Sequence, residues 1–477
     1  MMELTEELTA PLIDQVFTAQ KKQSVIMRQS TAVQRIALLK KMMDWIKTHM
    51  EDINRAIHAD FKKPYPEISI SEIYPVTSEI KHAIKHLETW MKPKKVHTPV
   101  TMLGSDSYIH YEPKGSSLII SPWNYPFSLA LGPLVSALSA GCTAIIKPSE
   151  MTPHTSALIR RMAEEIFDKS QVAVFEGDVD VAQKLLAKPF DHIFFTGSPS
   201  VGKMIMKAAA ENLSSVTLEL GGKSPVIIDS KTNLKDAAEK IVMTKLLNCG
   251  QTCVAPDYVL VHTSVKDTFL TELKENIQKM YDPKNKGVEK SKDYARIVNT
   301  RHLKRIKHLL ADAELKGAQI FWGGYVNEED NFFEPTILTG LTEEMDIMHE
   351  EIFGPILPVI SYSDLEEAIN YINLKPKPLA LYVFSKDNDT IKRVFKETSS
   401  GAAVANDCAL HFLQNELPFG GVNNSGIGKA HGYFGFLTFS NEKAVMKQRI
   451  GMTATKPIYP PYGIISKKII DSLLRWF

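Results

Sequence analysis

The stretch FTGSPSVGKMIM, residues 195–206, joins an apolar run to a helix-like segment through a short turn that contains glycine. An apolar run that ends at a glycine and leads directly into a helix is typical of a strand–helix unit in a parallel sheet. Gly197, Gly202 and Lys203 also have the spacing of a phosphate-binding loop, but Met204 stands where a magnesium-binding Ser or Thr is needed. The stretch therefore predicts a strand, a turn and a helix whose N-terminus could face a pyrophosphate, although such a glycine pair is more often a plain turn.

Short apolar runs of the same kind occur on both sides of this stretch and alternate with helix-like segments. Because the runs are continuous rather than alternating, they indicate strands of parallel sheets that are buried on both faces. The first block contains SLIIS, TAIIKP, VAVFEG, HIFFTG, SVTLELGG and SPVIID, and the second contains YVLVHT, AQIFWGG, LALYVFS and AAVAND. Two α/β domains in tandem are therefore predicted.

The region before these runs is predicted to be helical. Apolar residues recur there at steps of three and four and form one stripe along a helix face: Ile36, Leu39, Met43, Ile46, Met50, Ile53 and Ile57. A coiled coil would show the same pattern, but three heptads inside a globular chain more often form a helix that faces the core.

A segment without charge, from Gly115 to Ile146, has the length of a membrane span. It contains three prolines, however, and a lipid-exposed helix interrupted so often would leave backbone groups without hydrogen-bond partners. A buried strand, loop, helix and strand are predicted instead. Outside the βα blocks, residues 100–113 (VTMLGSDSYIHYEP) are predicted to be an extended hairpin, and residues 417–436 are rich in glycine.

The composition is that of an ordinary globular protein, with 44% hydrophobic and 23% charged residues. The net charge of +1 gives no reason to expect a nucleic-acid partner. Four cysteines are too few for a disulfide framework and lack the paired spacing of a zinc site, so no metal is expected. The N-terminus does not have the pattern of a secretory signal, and a reducing cytoplasm is the expected location.

The stretch NCGQTCVAPD, residues 248–257, holds two of the cysteines. Cys249 and Cys253 stand four residues apart, between a helix-like run and a strand-like run. A cysteine thiolate is a strong nucleophile, whereas a lone cysteine is usually structural. A permanent bridge between the two is not expected in a reducing compartment.

Two polar residues could serve such a nucleophile. Asn124, in SPWNYP, follows a predicted strand, and its amide could donate to an oxyanion or merely cap the loop. Glu219, in LELGGKSP, lies at the end of an apolar strand, where a carboxylate is costly unless it is paired or used. With the loop after Gly197, these residues could supply a nucleophile, an oxyanion donor, a base and a dinucleotide-like turn.

The same residues belong to a set of motifs that occurs in a fixed order: SPWNYPF, KPSE, FTGS, LELGGKSP, GQTC, EIFGP and LPFGG. From about Ile36 to Asn441, this set resembles the NAD(P)-dependent aldehyde dehydrogenases in order and approximate spacing. NCGQTCVAPDY and PFDHIFFTGS most resemble the class three branch, which includes fatty and aromatic aldehyde dehydrogenases.

The resemblance implies an α/β fold with two Rossmann-like parallel-sheet domains and a β-hairpin oligomerisation arm. The expected divisions are an NAD-binding domain (1–94 and 113–220), a catalytic domain (221–406), the arm (95–112 and 407–445) and a C-terminal tail (446–477). It also implies a homodimer, an aldehyde substrate, and NAD as cofactor with NADP tolerated.

The resemblance assigns roles residue by residue. Cys253 is implied as the nucleophile that forms a thiohemiacetal and then a thioester, Asn124 as the oxyanion donor, and Glu219 as the base that activates water. The implied cofactor contacts are Lys147 and Glu150 at the adenosine ribose, Gly197 and Ser198 at the pyrophosphate, and Glu351 and Phe353 at the nicotinamide ribose and ring.

Three other hypotheses remain open from the residues. A phosphotransferase is disfavoured by Met204. A catalytically inactive homologue is disfavoured because Cys253, Glu219 and Asn124 are all present. A semialdehyde dehydrogenase that passes its acyl group to coenzyme A would not need a base such as Glu219.

The C-terminal segment YGIISKKIIDSLLRWF, residues 462–477, predicts an amphipathic helix. It is too short to span a bilayer. Docking on the protein or on a partner subunit is one expectation, and contact with a membrane surface is the other, since basic residues beside Trp and bulky aliphatic side chains suit such a surface. The apolar side comprises Ile464, Ile465, Ile469, Ile470, Leu473, Leu474, Trp476 and Phe477.

Overall fold

The computed structural model describes residues 6–451 and 453–476, with the backbone alone for residues 6–9 and 476. Phe477, which was assigned above to the apolar side of the tail, lies outside the described residues. No helix in the described part of the chain is long and apolar enough to cross a membrane. The charge-free segment from Gly115 to Ile146 forms the predicted strand, loop, helix and strand.

Helices cover much of the described chain. They are α1 (Glu6–Met27), α2 (Ala32–Thr48), α3 (Met50–Phe61), α4 (Tyr65–Ile68), α5 (Tyr74–Trp90), α6 (Ser128–Ala140), α7 (Pro153–Ile166), α8 (Val179–Leu186), α9 (Pro199–Ala210), α10 (Leu234–Leu246), α11 (Lys266–Tyr281), α12 (Thr300–Leu315), α13 (Leu365–Asn373), α14 (Asn388–Glu397), α15 (Gly432–Thr438) and α16 (Ile464–Trp476).

The strands are mostly short. They are β1 (Lys94–Lys95), β2 (Ser105–Pro113), β3 (Ser116–Ile120), β4 (Thr143–Lys147), β5 (Val172–Val174), β6 (His192–Gly197), β7 (Ser215–Leu220), β8 (Pro225–Ile228), β9 (Tyr258–His262), β10 (Gln319–Trp322), β11 (Val326–Asn327), β12 (Phe332–Phe333), β13 (Thr336–Thr339), β14 (Ile356–Tyr362), β15 (Ala380–Phe384), β16 (Ala402–Ala405), β17 (Gly426–Ile427) and β18 (Ser440–Gln448).

Two large sheets form the centre of the molecule, and both are parallel apart from one edge strand each. The first has the order β17-β7-β6-β3-β4-β5, and the second has the order β10-β13-β14-β9-β8-β15-β16. Strands β3 and β4 of the first sheet and β8 and β15 of the second are buried along their whole length, as their continuous apolar runs predict. The mixed α/β fold with parallel sheets is therefore confirmed, whereas the division into domains by residue range stays a prediction.

All ten apolar runs form strands, and among the parallel strands of the second sheet the sequence interpretation missed β13 and β14. SPVIID, which was grouped with the first block, is β8 and belongs to the second sheet. The missed strands β13 and β14 pair in parallel with each other, and β14 also pairs with β9. Pro335 directly precedes β13 and Pro358 lies within β14, so prolines break the apolar pattern that identified the other strands.

A third sheet is antiparallel and has the order β1-β2-β18. The segment predicted to be a hairpin with itself instead contributes a single long strand, β2, which pairs with β18 from Ser105↔Gln448 to Pro113↔Ser440. Strand β18 runs across the expected boundary between arm and tail at residue 445. Strand β17, from the expected arm, pairs with β7 of the first sheet.

The N-terminal apolar stripe lies on two helices, so the prediction of a single helix is wrong. The chain bends at His49, which ends α2 and precedes α3. The stripe residues Leu39, Ile46, Ile53 and Ile57 are fully buried, but Met50 beside the bend is 49% exposed. Helix α2 begins with a capping box in which Thr31 and Gln34 satisfy each other's backbone N–H groups.

Candidate active site

Cys253 lies in the loop that leads from α10 into β9. Cys253 is partly exposed, whereas Cys249 is fully buried. The Cys249 thiol donates to Tyr294 Oη at 3.2 Å. The four-residue spacing of the two cysteines would place Cys249 one helical turn from Cys253, but this expectation is wrong because the chain leaves helical geometry at Asn248 and Cys249. The structure therefore separates a structural thiol from one that faces an open space.

A left-handed turn places this loop. Asn248 and Cys249 have φ values of 52° and 55°, and Gly250 follows with φ 77°. Two consecutive non-glycine residues in this region are strained, and the surrounding structure must hold them there. A Cβ on Gly250 would lie 2.2 Å from the carbonyl oxygen of Gly354, so glycine is needed for the close approach of these two segments.

Asn124 is hydrogen-bonded to the same loop. The Asn124 side-chain amide donates to the backbone carbonyl of Gln251 at 3.0 Å. The backbone carbonyl of Asn124 accepts from the side-chain amide of Asn248 at 2.8 Å. Next to it, the Tyr125 hydroxyl lies 2.6 Å from the Thr252 hydroxyl, one residue before Cys253. An amide of this kind has two N–H donors, and one of them remains for a ligand at Cys253.

A buried ion pair supports Asn124 from behind. The Lys63 ammonium donates to Glu72 at 2.9 Å and to the Asn124 carbonyl at 3.2 Å, and both charged side chains are fully buried. The second Glu72 oxygen accepts from the Ser128 N–H at 2.9 Å. A buried pair of this quality holds its neighbours in one geometry, because any displacement would leave a charge without a partner.

Glu219 ends strand β7 and shares a cavity with Cys253. The side chain is buried, and neither carboxylate oxygen has a hydrogen-bond partner among the described residues. Burial raises the pKa of Glu219 well above its usual value, and the ammonium of Lys429 opposes that rise. A buried carboxylate left without a partner requires a functional explanation.

The cavity beside Cys253 has mostly apolar walls. Helix α5, helix α6 and the segment 410–419 line it. The apolar side chains in these walls include Val76, Leu129, Leu379, Phe412, Leu413 and Phe419. Such a space favours an apolar molecule over a charged one, because polar groups would lose their hydration without replacement.

The Cys253 thiol is held in its protonated form by its surroundings. Burial, followed by the negative charges of Glu351 and Glu219, raises the pKa of Cys253 to about 12. The loop by itself therefore does not generate a thiolate at neutral pH. Deprotonation needs an additional positive charge or the neutralisation of a nearby carboxylate.

A second cleft, of about 470 Å³, lies on the other side of Gly221 and Gly222. Glu351 and Pro199, the first residue of α9, also line it. Burial raises the pKa of Glu351 to about 8, and the Gly222 N–H donates to its carboxylate. A Cβ at Gly221 would lie 2.0 Å from this carboxylate, so glycine leaves room for it.

The remaining predicted cofactor residues lie at the carboxyl ends of neighbouring strands. Lys147 ends β4, and its ammonium donates to Glu150 at 2.7 Å. Gly197 ends β6, and Ser198 caps α9 by accepting from the Val201 N–H. In open α/β sheets, ligands bind outside the carboxyl ends of the strands.

These residues fit a dinucleotide cofactor. The half-exposed Glu150 carboxylate can accept from sugar hydroxyls, and the Ser200 N–H in the first turn of α9 can donate to a phosphate oxygen. Phe353, with φ 48°, packs its ring edge-on against Trp123 at 5.3 Å. Arg305 donates to the backbone carbonyls of Glu351 and Ile352 and so fixes this segment.

The sequence interpretation missed several residues that organise the site. Lys63, Glu67 and Glu72 lie in the helical N-terminal part, where charged residues are usually solvated. Glu67 accepts from the Asn248 N–H at 2.7 Å. No local pattern marks these three as buried. Lys429 carries a weak signal, since a lysine within a glycine-rich stretch is unusual.

Comparison with known proteins agrees with this geometry. The Aldehyde dehydrogenase family model matches residues 3–445. The 4,4'-diaponeurosporen-aldehyde dehydrogenase of Staphylococcus aureus (strain NCTC 8325 / PS 47) is 45% identical over 424 residues, which cover 89% of this chain and 91% of that protein. Aldehyde dehydrogenase family 3 member A2 of Rattus norvegicus is 41% identical over 428 residues, which cover 90% and 87% of the two chains.

A solved structure gives the same result in three dimensions. The substrate-bound state of Staphylococcus aureus AldH superposes with a TM-score of 0.92 at 43% identity and covers 97% of this chain and 99% of that one. A match over 97% of this chain includes the segments of both sheets in which the candidate residues lie. The chain therefore belongs to the aldehyde dehydrogenase family, whose members oxidise aldehydes to carboxylic acids.

Proposed function

We propose that this chain oxidises an apolar aldehyde with NAD(P)⁺ through a thiohemiacetal and a thioester on Cys253, and that water releases the acid. The observation that carries the proposal is the buried carboxylate of Glu219, which has no hydrogen-bond partner in the described part of the chain and lines the same cavity as Cys253. A base that must accept a proton from water needs such a free oxygen and a raised pKa.

The covalent step belongs to Cys253. The Cys253 thiol first loses its proton to solvent. The thiolate sulfur then adds to the aldehyde carbon, the carbonyl π bond breaks, and the carbonyl oxygen becomes an oxyanion. The Asn124 amide, fixed by Gln251 and Asn248, stabilises that charge together with the backbone N–H of Cys253. A bound nicotinamide dinucleotide would supply the acceptor for the hydride that must leave this carbon.

Glu219 performs the last step in this proposal. It removes a proton from a water molecule, whose oxygen attacks the thioester carbon and displaces the Cys253 sulfur. The positive charge of Lys429 lowers the pKa of Glu219 against the effect of burial and so favours the carboxylate form that accepts the proton. This step distinguishes hydrolysis from transfer of the acyl group to coenzyme A, which needs no base at this position.

The cofactor is proposed to be NAD⁺, with NADP⁺ tolerated. Lys147 and Glu150 would hold the adenosine ribose, Gly197 and Ser198 the pyrophosphate, and Glu351 and Phe353 the nicotinamide ribose and ring. The Glu150 carboxylate accepts hydrogen bonds from a 2′-hydroxyl and repels a 2′-phosphate. Its pairing with Lys147 moderates that repulsion, which is the reason to expect tolerance rather than exclusion.

The substrate class is proposed from the cavity walls. Apolar side chains from three separate segments surround the space next to Cys253. One relative is named for 4,4'-diaponeurosporen-aldehyde, and this agrees with an apolar substrate. A panel of aldehydes of increasing chain length, assayed with NAD⁺ and with NADP⁺ by absorbance of the reduced cofactor, tests both choices. Tenfold preference for NADP⁺, about 1.4 kcal/mol, would contradict the argument from Glu150.

Replacement of the nucleophile tests the mechanism. Cys253→Ser is expected to lower dehydrogenase activity by several orders of magnitude while NAD⁺ binding, measured by calorimetry, persists. Cys249→Ser is the matched control, because the buried Cys249 thiol donates to Tyr294 Oη and does not line the cavity, and this variant is expected to keep most activity. An inactive Cys249 variant beside an active Cys253 variant would reverse the assignment.

A further inference from the structure

Two histidines and a glutamate meet on the outer side of the cavity wall. His82 and His86 lie one turn apart on the same face of α5, and Glu416 approaches them from the segment 410–419. One ring nitrogen of each histidine and one carboxylate oxygen of Glu416 lie within 4.8 Å of one another. His82 Nε2 and Glu416 Oε1 are 3.7 Å apart.

The spacing of these atoms suits a small transition-metal ion. Zn²⁺ binds imidazole nitrogen and carboxylate oxygen at about 2.0–2.2 Å in tetrahedral geometry, which places neighbouring ligand atoms roughly 3.4 Å apart. The His82–Glu416 distance is close to that value. The Glu416 side chain is 68% exposed, so it is free to move the remaining distance toward an ion.

The imidazole rings are oriented but not engaged elsewhere. Trp90 stacks on His86 with an interplanar angle of 15° and also contacts the ring of His82. In the described part of the chain, neither ring nitrogen of His86 has a hydrogen-bond partner, and His82 has only the long contact with Glu416. Lone pairs held in place by ring packing are available to a metal without the loss of another bond.

We propose that His82, His86 and Glu416 bind a divalent transition-metal ion of the Zn²⁺ class. The cysteine spacings gave no reason to expect a metal, and this donor set is independent of them. Histidines at positions i and i+4 of a helix point the same way and form a frequent half-site for zinc. A third ligand more than 300 residues away in the sequence turns the half-site into a bridge between two segments.

The position of this site gives it a consequence for the cavity. Ser78 on α5 accepts from the Asn415 amide at 3.1 Å, and both residues line the cavity beside Cys253. His82 lies one turn beyond Ser78, and Glu416 directly follows Asn415. An ion at the cluster would therefore clamp α5 to the segment 410–419 and hold that wall of the cavity in place.

Binding of Co²⁺ tests the site, because its visible spectrum reports both coordination number and ligand type. The full-length protein carrying Cys253→Ser removes the exposed thiol as a competing ligand. We expect one equivalent of Co²⁺ with the absorption of a site that lacks sulfur, displaced by Zn²⁺. His86→Ala and Glu416→Gln are each expected to weaken binding by about tenfold or more.

His308→Ala is the matched control, since His308 lies 3.8 Å from Asp346 at an exposed surface and forms a histidine–carboxylate pair without a third ligand. It should bind Co²⁺ as the parent does. Zn²⁺ should also slow hydrogen exchange of the segment 410–419 in the parent but not in His86→Ala. Absence of saturable Co²⁺ binding, or binding unchanged in His86→Ala, would overturn the proposal. Neither readout depends on catalysis, so failure of the proposed oxidation would not affect this test.

Discussion

Among the described residues, neither oxygen of the Glu219 carboxylate has a hydrogen-bond partner. This placement costs stability, because a buried carboxylate without a partner loses its hydration without compensation. Cys253 differs from the buried Cys142, Cys249 and Cys408 in being partly exposed, and it lines the same cavity as Glu219. At the scale of single residues, this pair of side chains is therefore the strongest indication of chemistry in the molecule.

Glu219→Gln is expected to spare addition and hydride transfer but to slow release of the acid. The amide is similar in size to the carboxylate but cannot take a proton from water. Rapid mixing should show a burst of reduced cofactor followed by a stalled steady state. Normal steady-state turnover in this variant would remove Glu219 from the mechanism.

Lys429→Met is expected to shift the rise of deacylation with pH to more alkaline values. The Lys429 charge lowers the pKa of Glu219, so its removal raises that pKa and leaves less carboxylate at a given pH. Lys429→Arg, which keeps the charge, is the control. Measurement of the pH profile of the steady-state rate checks this, and a profile that moves toward acid in the methionine variant would contradict it.

At the scale of elements, the site combines the carboxyl ends of strands of the first parallel sheet with loops that precede β9 and β14 of the second. Glu219 lies near the end of β7, Lys147 ends β4 and Gly197 ends β6. The strained turn before Cys253 brings the nucleophile toward them. The C-terminal helix α16 contributes differently, since its apolar residues Ile464, Ile465 and Leu474 are each about three-quarters exposed.

Deletion of residues 463–477 tests what covers the apolar side of α16. If this helix serves long apolar substrates or a membrane surface, the truncated enzyme should show a raised KM for long-chain aldehydes and lose sedimentation with anionic liposomes. Short aldehydes should be oxidised as before. If the truncated enzyme oxidises aldehydes of every chain length as the full-length enzyme does, and the full-length protein does not bind liposomes, α16 has only a structural role.

At the scale of the whole molecule, two sheets end in open edges. Strand β16 lies at the edge of the second sheet and β18 at the edge of the antiparallel one, and in the described residues neither has a neighbour on its outer side. Open edges of this kind invite pairing with another chain. Strand β18 covers one side of β2 along its whole length, whereas on the other side β1 pairs with only Ile109 and Tyr108.

A homodimer is therefore predicted, in which two-fold symmetry covers these edges. Light scattering at micromolar concentration should give twice the chain mass of 53.4 kDa. Lys443→Pro, at an exposed position of β18, should weaken the dimer because proline removes a ladder donor, whereas Lys443→Thr should not. A mass of 53.4 kDa for the unmodified protein would refute the dimer.

Local patterns in the sequence were sufficient to predict the fold class and the ten strands with uninterrupted apolar runs, because burial on both faces of a sheet leaves a continuous apolar run. The residues expected at the site could be named because motifs such as GQTC and LELGGKSP are short and contiguous and resemble those of a known family. The prediction of one helix was wrong at His49, because the apolar stripe continues across the bend between α2 and α3 and looks like the stripe of a single helix.

Only the tertiary structure decided what surrounds those residues. Lys63 and Glu72 are ordinary charged residues in the sequence, yet packing against Asn124 makes them a fully buried pair. The lack of a partner for Glu219, the separation of Cys249 from Cys253, and the meeting of His82 with Glu416 likewise depend on contacts between distant segments. Burial and charge pairing arise from the packing of the whole chain, and for that reason no local stretch of sequence contains them.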